Sequence, residues 1–574
     1  MRRLIYIFII GLLLCSYTWA DGSRYASNSL LSEGKWVKIR VDKTGIYKLS
    51  YADLKNMGFS DPSKVSVHGY GGWPLDEDFS KEYIDDVPST PVWRGSDYLL
   101  FYGKGSVKWE YDSSSQTFVH TNNPYSLYGY YFVTDATPTN DMTSVAQASG
   151  ASTRITTYDD YLLHEQELVS VNQSGREFFG EDFSGARPRT ISTFSSIPGI
   201  TDADGKVTMR FISRINSGSG TASLSINDSE LLDITIPSIQ TVSSNVRSYT
   251  KAIPGTTTAL WKGSKSEKNN VVVSYSSSGH TNVRLDYIRM QFVRTLRPYG
   301  ACTFFRSLTS VGNASRFVIS EANSNTLVFD VTDALNVKRV EADLNGSELS
   351  FTIPAGRLRE FVLVQTNQTF PSPEVVGEVA SSNLHGLEQR DMIIISAPSL
   401  VQQAERLAVA HREKDGLTVE VVTPEAIYNE FSSGTPDATA YRRLMKMFYD
   451  RSSSLGNPPK YLLLFGDGIY DNRGISGEVQ GVSRSNMLLT FQSQESLNVY
   501  SYATDDYFAF LEDNSGSNFS RDKMCVGVGR FPIRTVTEAT QMVDKTISYM
   551  ENKDSGSWKN NVTFVADDGN NERV

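Results

Sequence analysis

The sequence predicts β-rich, sandwich-like modules followed by a parallel α/β domain. Three observations carry this reading. Up to about residue 370, short period-two segments recur between Gly, Ser and Asn turns, the pattern of half-buried strands in sandwiches. Near residue 390, continuous apolar strands begin to alternate with helical stretches, which marks a parallel sheet with crossover helices. The 574 residues are 39% hydrophobic and 21% charged, enough for several separate cores.

Met1-Arg2-Arg3, the apolar run Leu4 to Leu14 and the small residues Thr18 and Ala20 read as a secretory signal peptide cleaved after Ala20. A lipoprotein site at Cys15 is the competing reading, with Leu14 a poor residue before it. No later stretch approaches the ~18 uninterrupted apolar residues of a membrane span, so the expected mature chain is soluble or peripheral.

Lys35 to Val41 alternates apolar and polar, and Thr44 to Leu49 supplies a turn and a second strand. Ser50 is placed to cap a short helix, Tyr51 to Met57, that Gly58 ends. Tyr98 to Tyr102 is a buried strand. The aromatics Trp109, Tyr111, Phe118, Tyr125, Tyr130, Tyr131 and Phe132 admit two readings, sheet packing or a carbohydrate-binding platform. Further strands are expected at 207–212, 222–226, 271–275, 283–288, 326–331 and 349–353.

In the α/β part, Asp391 to Ser396 is a continuous apolar strand of the doubly buried kind. Helix 399–414, strand 417–422, helix 438–451 and strand 461–465 follow. Met524 to Val528, helix 537–551 and a buried strand at Asn561 to Ala566 complete the pattern.

With 55 basic against 65 acidic residues the net charge is -10. That excludes a general nucleic-acid binder and gives no electrostatic reason to bind anionic lipid. Three cysteines exclude a disulfide-dense scaffold, and six scattered histidines form no HExxH. Cys302 and Cys525 either bridge in an oxidising compartment or stay as two buried thiols. Cys525 reads as a core residue inside its strand, His411 as a solvated helix face, His385 as linker and His68 as part of the N-terminal β region.

Acidic groups stand where an open parallel sheet gathers ligands, at or near strand carboxyl ends. They are Asp467 with Asp471 behind it, Asp505 and Asp506, and Asp567 and Asp568. Carboxylates clustered like this suit Ca²⁺, which takes six to eight oxygens, or a cationic substrate, and Asp567 and Asp568 are candidate substrate-crevice acids. Equally, Asp and Gly are what strand-to-loop turns use.

Asp391 to Ser396, Tyr461 to Asp467, Thr504-Asp505-Asp506-Tyr507-Phe508, Val526 to Pro532 and Thr546 to Tyr549 resemble the gingipain family of cysteine peptidases. Gly45 to Leu49, Tyr98 to Gly105, Asn123 to Ser126 and Phe564 to Gly569 resemble its sortase branch, from the type IX secretion system. The resemblance implies a caspase-like α/β fold and removal of the C-terminal sorting domain from exported cargo. It also implies transfer of the new carboxyl end to an amine on anionic lipopolysaccharide. Implied partners are an outer-membrane barrel tether, other secretion components and cargo, at the cell surface. Structural calcium at Asp467, Asp505 and Asp506 is implied as well.

The expected division is a signal peptide at 1–20, a β-rich domain at 21–135 and sandwich-like modules at 136–380. A caspase-like domain at 388–574 follows, whose second subdomain is truncated. No residue matches the family's catalytic His or Cys, which are expected beyond Val574, so the chain alone is expected to be inactive. Two rivals stand beside this reading: a secreted gingipain-like protease and a non-enzymatic adhesion or assembly protein.

Overall fold

The computed structural model describes residues 24–185, 187–239, 250–277, 280–477, 484–498, 500–552 and 556–564. Residues 1–20, where a signal peptide is expected, and Asp567 and Asp568 lie outside them.

The N-terminal sheet centres on Trp36–Val41, which pairs antiparallel with Gly129–Thr134 on one side and Glu374–Glu378 on the other. The last strand falls in the stretch assigned by sequence to the sandwich modules. Its pairing covers an edge that would otherwise be open, across a separation no local pattern reveals. The expected helix forms at Tyr51–Asn56, closed by a reciprocal Ser50–Asp53 capping box, with Gly58 at φ 93° just past it.

Two sandwiches follow. In the first, Thr157–Glu165, His280–Thr295, Gly205–Ile215 and Ile253–Trp261 form one sheet. Arg189–Thr190, Val271–Ser276, Ser219–Ile226 and Ser229–Pro237 form the other. Val207, Met209 and Phe211 meet Leu224, Val273 and Tyr275 in one core, as period-two alternation requires. In the second sandwich Phe305, Phe317, Phe351 and Phe361 close together, with Phe317 stacked on Phe351 at 5.2 Å. The hairpin Val107–Asp112/Thr117–Asn122 leaves the N-terminal domain and lies on the first sandwich, where Trp109 stacks on Tyr161 at 4.0 Å. Trp109, Tyr111 and Phe118 are therefore packing residues.

The α/β domain runs β1 (Met392–Ser396), α1 (Val401–Lys414), β2 (Val419–Val422), α2 (Pro424–Phe431), α3 (Ala438–Leu455), β3 (Tyr461–Phe465), β4 (Gly527–Phe531) and α4 (Val536–Met550). Its sheet is parallel throughout, in the order β2-β1-β3-β4. All five β1 residues are buried, as a doubly covered strand must be. Sequence reading passed over α2, an eight-residue helix with Pro424 in its first turn and Ile427 and Phe431 inward.

Two strand expectations are corrected. β4 starts at Gly527, set by its register with Tyr461 of β3, so Met524 and Cys525 precede it. The part of the expected strand 561–566 that is described, 561–564, is not a strand. Val562 and Phe564 are 77% and 90% exposed, because no described neighbour offers that segment a ladder.

Helix α3 departs most from its sequence pattern. Leu444, Met447 and Phe448 are buried as expected, but so are Arg442, Arg443, Lys446 and Asp450. The helix is wedged between its own sheet and the N-terminal domain. Arg442 donates to the carbonyls of Glu77, Phe510 and Ser515, between the rings of Phe79 and Tyr507.

Candidate functional site

The carboxyl ends of β1, β3 and β4 form the crevice where an open parallel sheet takes its ligands. Two arginines dominate it. Arg530, in β4, grips both oxygens of Asp505 at 2.8 and 2.7 Å and donates to the carbonyls of Gly466 and Leu489. Arg534, just past β4, lies 2.5 Å from Asp467. Asp467 also accepts from the Gly468 amide. A paired fork of this kind fixes position as well as charge, so the loops after β3 and β4 are held to one another. Ser399 and Asn486 extend the link, since Asn486 accepts from the Ser399 hydroxyl at 2.5 Å and donates to the Arg534 carbonyl.

Asp471 is fully buried and takes four bonds, from the amides of Gly474, Ile475 and Ser476 and from the Ser476 hydroxyl. It shapes a loop. Asp506 is exposed and its amide donates to Thr504. The structure therefore does not gather Asp467, Asp505 and Asp506 into one ligand set: two are satisfied by arginine and the third faces solvent. Among the described residues no three metal-ligating side chains converge. The donor set does not fit calcium, whose many oxygens must be free of competing cations. Asp567 and Asp568 lie outside the described residues.

Neither thiol stands at the crevice. Cys302 lies in a strand of the second sandwich, where burial pushes its pKa up to about 12 and leaves it a poor nucleophile. Cys525 is half-buried before β4, at the amino end of the sheet rather than inside the strand. The two are not bonded to each other.

The histidines are structural. His68 is buried, with Nδ1 2.9 Å from the Val87 carbonyl, and burial lowers its pKa. His411 pairs with Asp415 at 2.7 Å and lines a cavity of about 600 Å³ at the amino end of the sheet, with no thiol hydrogen-bonded to it among the described residues. His385, read from sequence as linker, is fully buried between Glu430 and Asp85 and stacks on Phe431 at 4.5 Å. Local sequence carries no sign of this, because Asp85 arrives from the N-terminal domain.

Comparison with known proteins places this geometry. Residues 385–573 match Peptidase family C25. The crystal structure of dimeric latent PorU from Porphyromonas gingivalis superposes with a TM-score of 0.84 at 37% identity, covering 94% of this chain and 51% of that one. The chain thus spans about half the length of that relative. A Bacillus endospore appendage protein covers 26% of this chain and 96% of its own at 8% identity, and a CBM35 from Cellvibrio japonicus covers 24% and 97% at 16%. Their TM-scores of 0.14 and 0.12 carry no argument. A search of curated proteins returns no match. No described helix is long and apolar enough to cross a membrane. The chain is therefore β-sandwich modules joined to a domain of peptidase family C25, the gingipain family, in an arrangement similar to that of PorU.

Proposed function

We propose that this chain is the N-terminal portion of a sortase-type cysteine peptidase of the type IX secretion system, working at the cell surface. The observation that carries the reading is the likeness to PorU along 94% of the chain, sandwich modules and α/β domain together, at 37% identity. A protein that shared only the peptidase domain would not match through the modules.

In this reading the enzyme removes the C-terminal sorting domain of exported cargo. A cysteine thiolate attacks the scissile carbonyl and a histidine takes, then returns, the proton. Water or an amine on anionic lipopolysaccharide resolves the acyl-enzyme. Neither Cys302 nor Cys525 stands at the crevice, so neither is proposed as the nucleophile. The contribution of this chain is one wall of the site, with the loops after β3 and β4 pinned by Arg530–Asp505 and Arg534–Asp467. An outer-membrane barrel is the tether.

The test is disruption of the gene in its native host, followed by mass measurement of exported cargo. Retained sorting domains support the proposal. Cargo trimmed at the wild-type level overturns it.

A further inference from the structure

We infer that Lys38 of the N-terminal sheet and Asn429 of α2 join in an intramolecular isopeptide bond, which ties the N-terminal domain covalently to the α/β domain. The reacting groups already stand in contact, with Lys38 Nζ 3.0 Å from Asn429 Oδ1. This goes beyond the peptidase reading and does not depend on it.

Lys38 breaks the pattern of its strand. It alternates with Val37 and Ile39, and a lysine at such a position normally faces water, yet Lys38 is 6% exposed. Helix α2 covers it. Glu425 and Asn429 stand four residues apart on that helix, so they share one face, and the amine also lies 3.4 Å from Glu425 Oε1. The centre of the Tyr130 ring is 4.9 Å from the amine. Gly434, at φ 76°, closes the enclosure, since a Cβ there would stand 2.8 Å from Lys38 Cε and 2.9 Å from the Phe132 ring. Asn429 is buried, and among the described residues nothing accepts from its amide nitrogen.

The chemistry follows from this enclosure. In water a lysine is protonated and does not attack an amide. Here the two groups are held together, and burial lowers the Lys38 pKa despite the Glu425 charge. Glu425, the carboxylate paired with Lys38, takes the proton of its ammonium. The neutral amine attacks Asn429 Cγ. A bond forms between Lys38 Nζ and Cγ, the Cγ–Nδ2 bond breaks, and Glu425 passes its proton to the departing ammonia. An ammonium and a primary amide thus become a secondary amide and an ammonium ion, with no oxidant, reductant or further reactant. Asn429, not Glu425, is the acyl partner, because it is nearer, is buried from competing water and loses neutral ammonia.

The experiment is peptide mapping of the purified chain by mass spectrometry, after unfolding in urea and digestion with trypsin. Trypsin does not cut after an acylated lysine. The expected product is one branched peptide joining the segments around Lys38 and Asn429, lighter than their sum by about 17 Da, the mass of ammonia. Asn429→Ala should abolish it and open Lys38 to cleavage. Glu425→Gln, a change at a side chain 66% exposed, should fold as the wild type does and also leave Lys38 open to cleavage. The inference is overturned if trypsin cuts after Lys38 in the wild-type chain, or if Glu425→Gln forms the bond to the wild-type extent. It is equally overturned if the link runs to Glu425 with a loss of about 18 Da, the mass of water.

Discussion

His385 Nδ1 lies 2.7 Å from a carboxylate oxygen of Glu430, and neither side chain reaches solvent. On the other side of the ring, Nε2 lies 3.1 Å from Asp85 of the N-terminal domain. One imidazole thus joins the α/β domain to the domain in front of it. Burial alone would lower its pKa, but the hydrogen bonds and charges of Asp85 and Glu430 outweigh burial and raise it to about 9.

That shift sets a pH dependence. A histidine whose folded pKa is raised contributes stability that is fully present below its unfolded value, near 6.5, and lost as pH rises through about 9. The wild-type melting temperature should fall between pH 6.5 and 9, from a contribution of at most about 3 kcal/mol. His385→Gln should flatten that slope. Parallel wild-type and variant melting curves across this range would refute the assignment.

Lys446 bridges Asp450 at 2.5 Å and Asp513 at 2.7 Å, and Asp450 also accepts from the Tyr25 hydroxyl. Lys446 and Asp450 are both fully buried. Lys446→Met leaves buried Asp450 with only Arg24, at 3.9 Å, as a cation and should cost about 3 kcal/mol in urea unfolding. Adding Asp450→Leu should restore much of that loss, because two apolar side chains need no pairing. A double variant no better than the single would count against the account.

At the crevice, Arg530→Ala removes a two-point grip on Asp505 and two carbonyl bonds. A loss of about 1–3 kcal/mol is expected, with faster amide exchange in the loops after β3 and β4. Wild-type melting curves in EDTA and in millimolar calcium should superimpose. A rise in melting temperature with calcium would show that a cation displaces the arginines.

The thiols should behave independently. Cys302, with its pKa pushed up to about 12 by burial, should resist iodoacetamide in the folded protein and react once unfolded. Intact-mass analysis should find both Cys302 and Cys525 reduced. A disulfide between them would contradict the fold.

Much of this protein is legible in its sequence. Period-two alternation placed the sandwich strands at 207–212, 222–226, 271–275 and 283–288 but passed over Ser229–Pro237 and Ile253–Trp261, and apolar continuity placed β1 and β3, because burial on one face or two is written directly into residue order. The Ser50 cap was readable for the same local reason. The acidic turns after β3 and before β4 were found, but not what they do. Asp467 and Asp505 look like metal ligands until Arg534 and Arg530 are brought to them, and that pairing follows from strand register.

Sequence by itself determined the order and type of the elements, the apolar faces and the resemblance to a peptidase family, all of which reside in neighbours a few residues apart. Tertiary structure alone decided which charges are buried and with whom. Glu374–Glu378 completes a sheet begun at Trp36, α3 buries Arg442 and Lys446, and His385 closes on Asp85. Each of these joins segments some 60 to more than 300 residues apart. The energy of a buried charge depends on what the fold brings within reach, and local pattern holds no record of that.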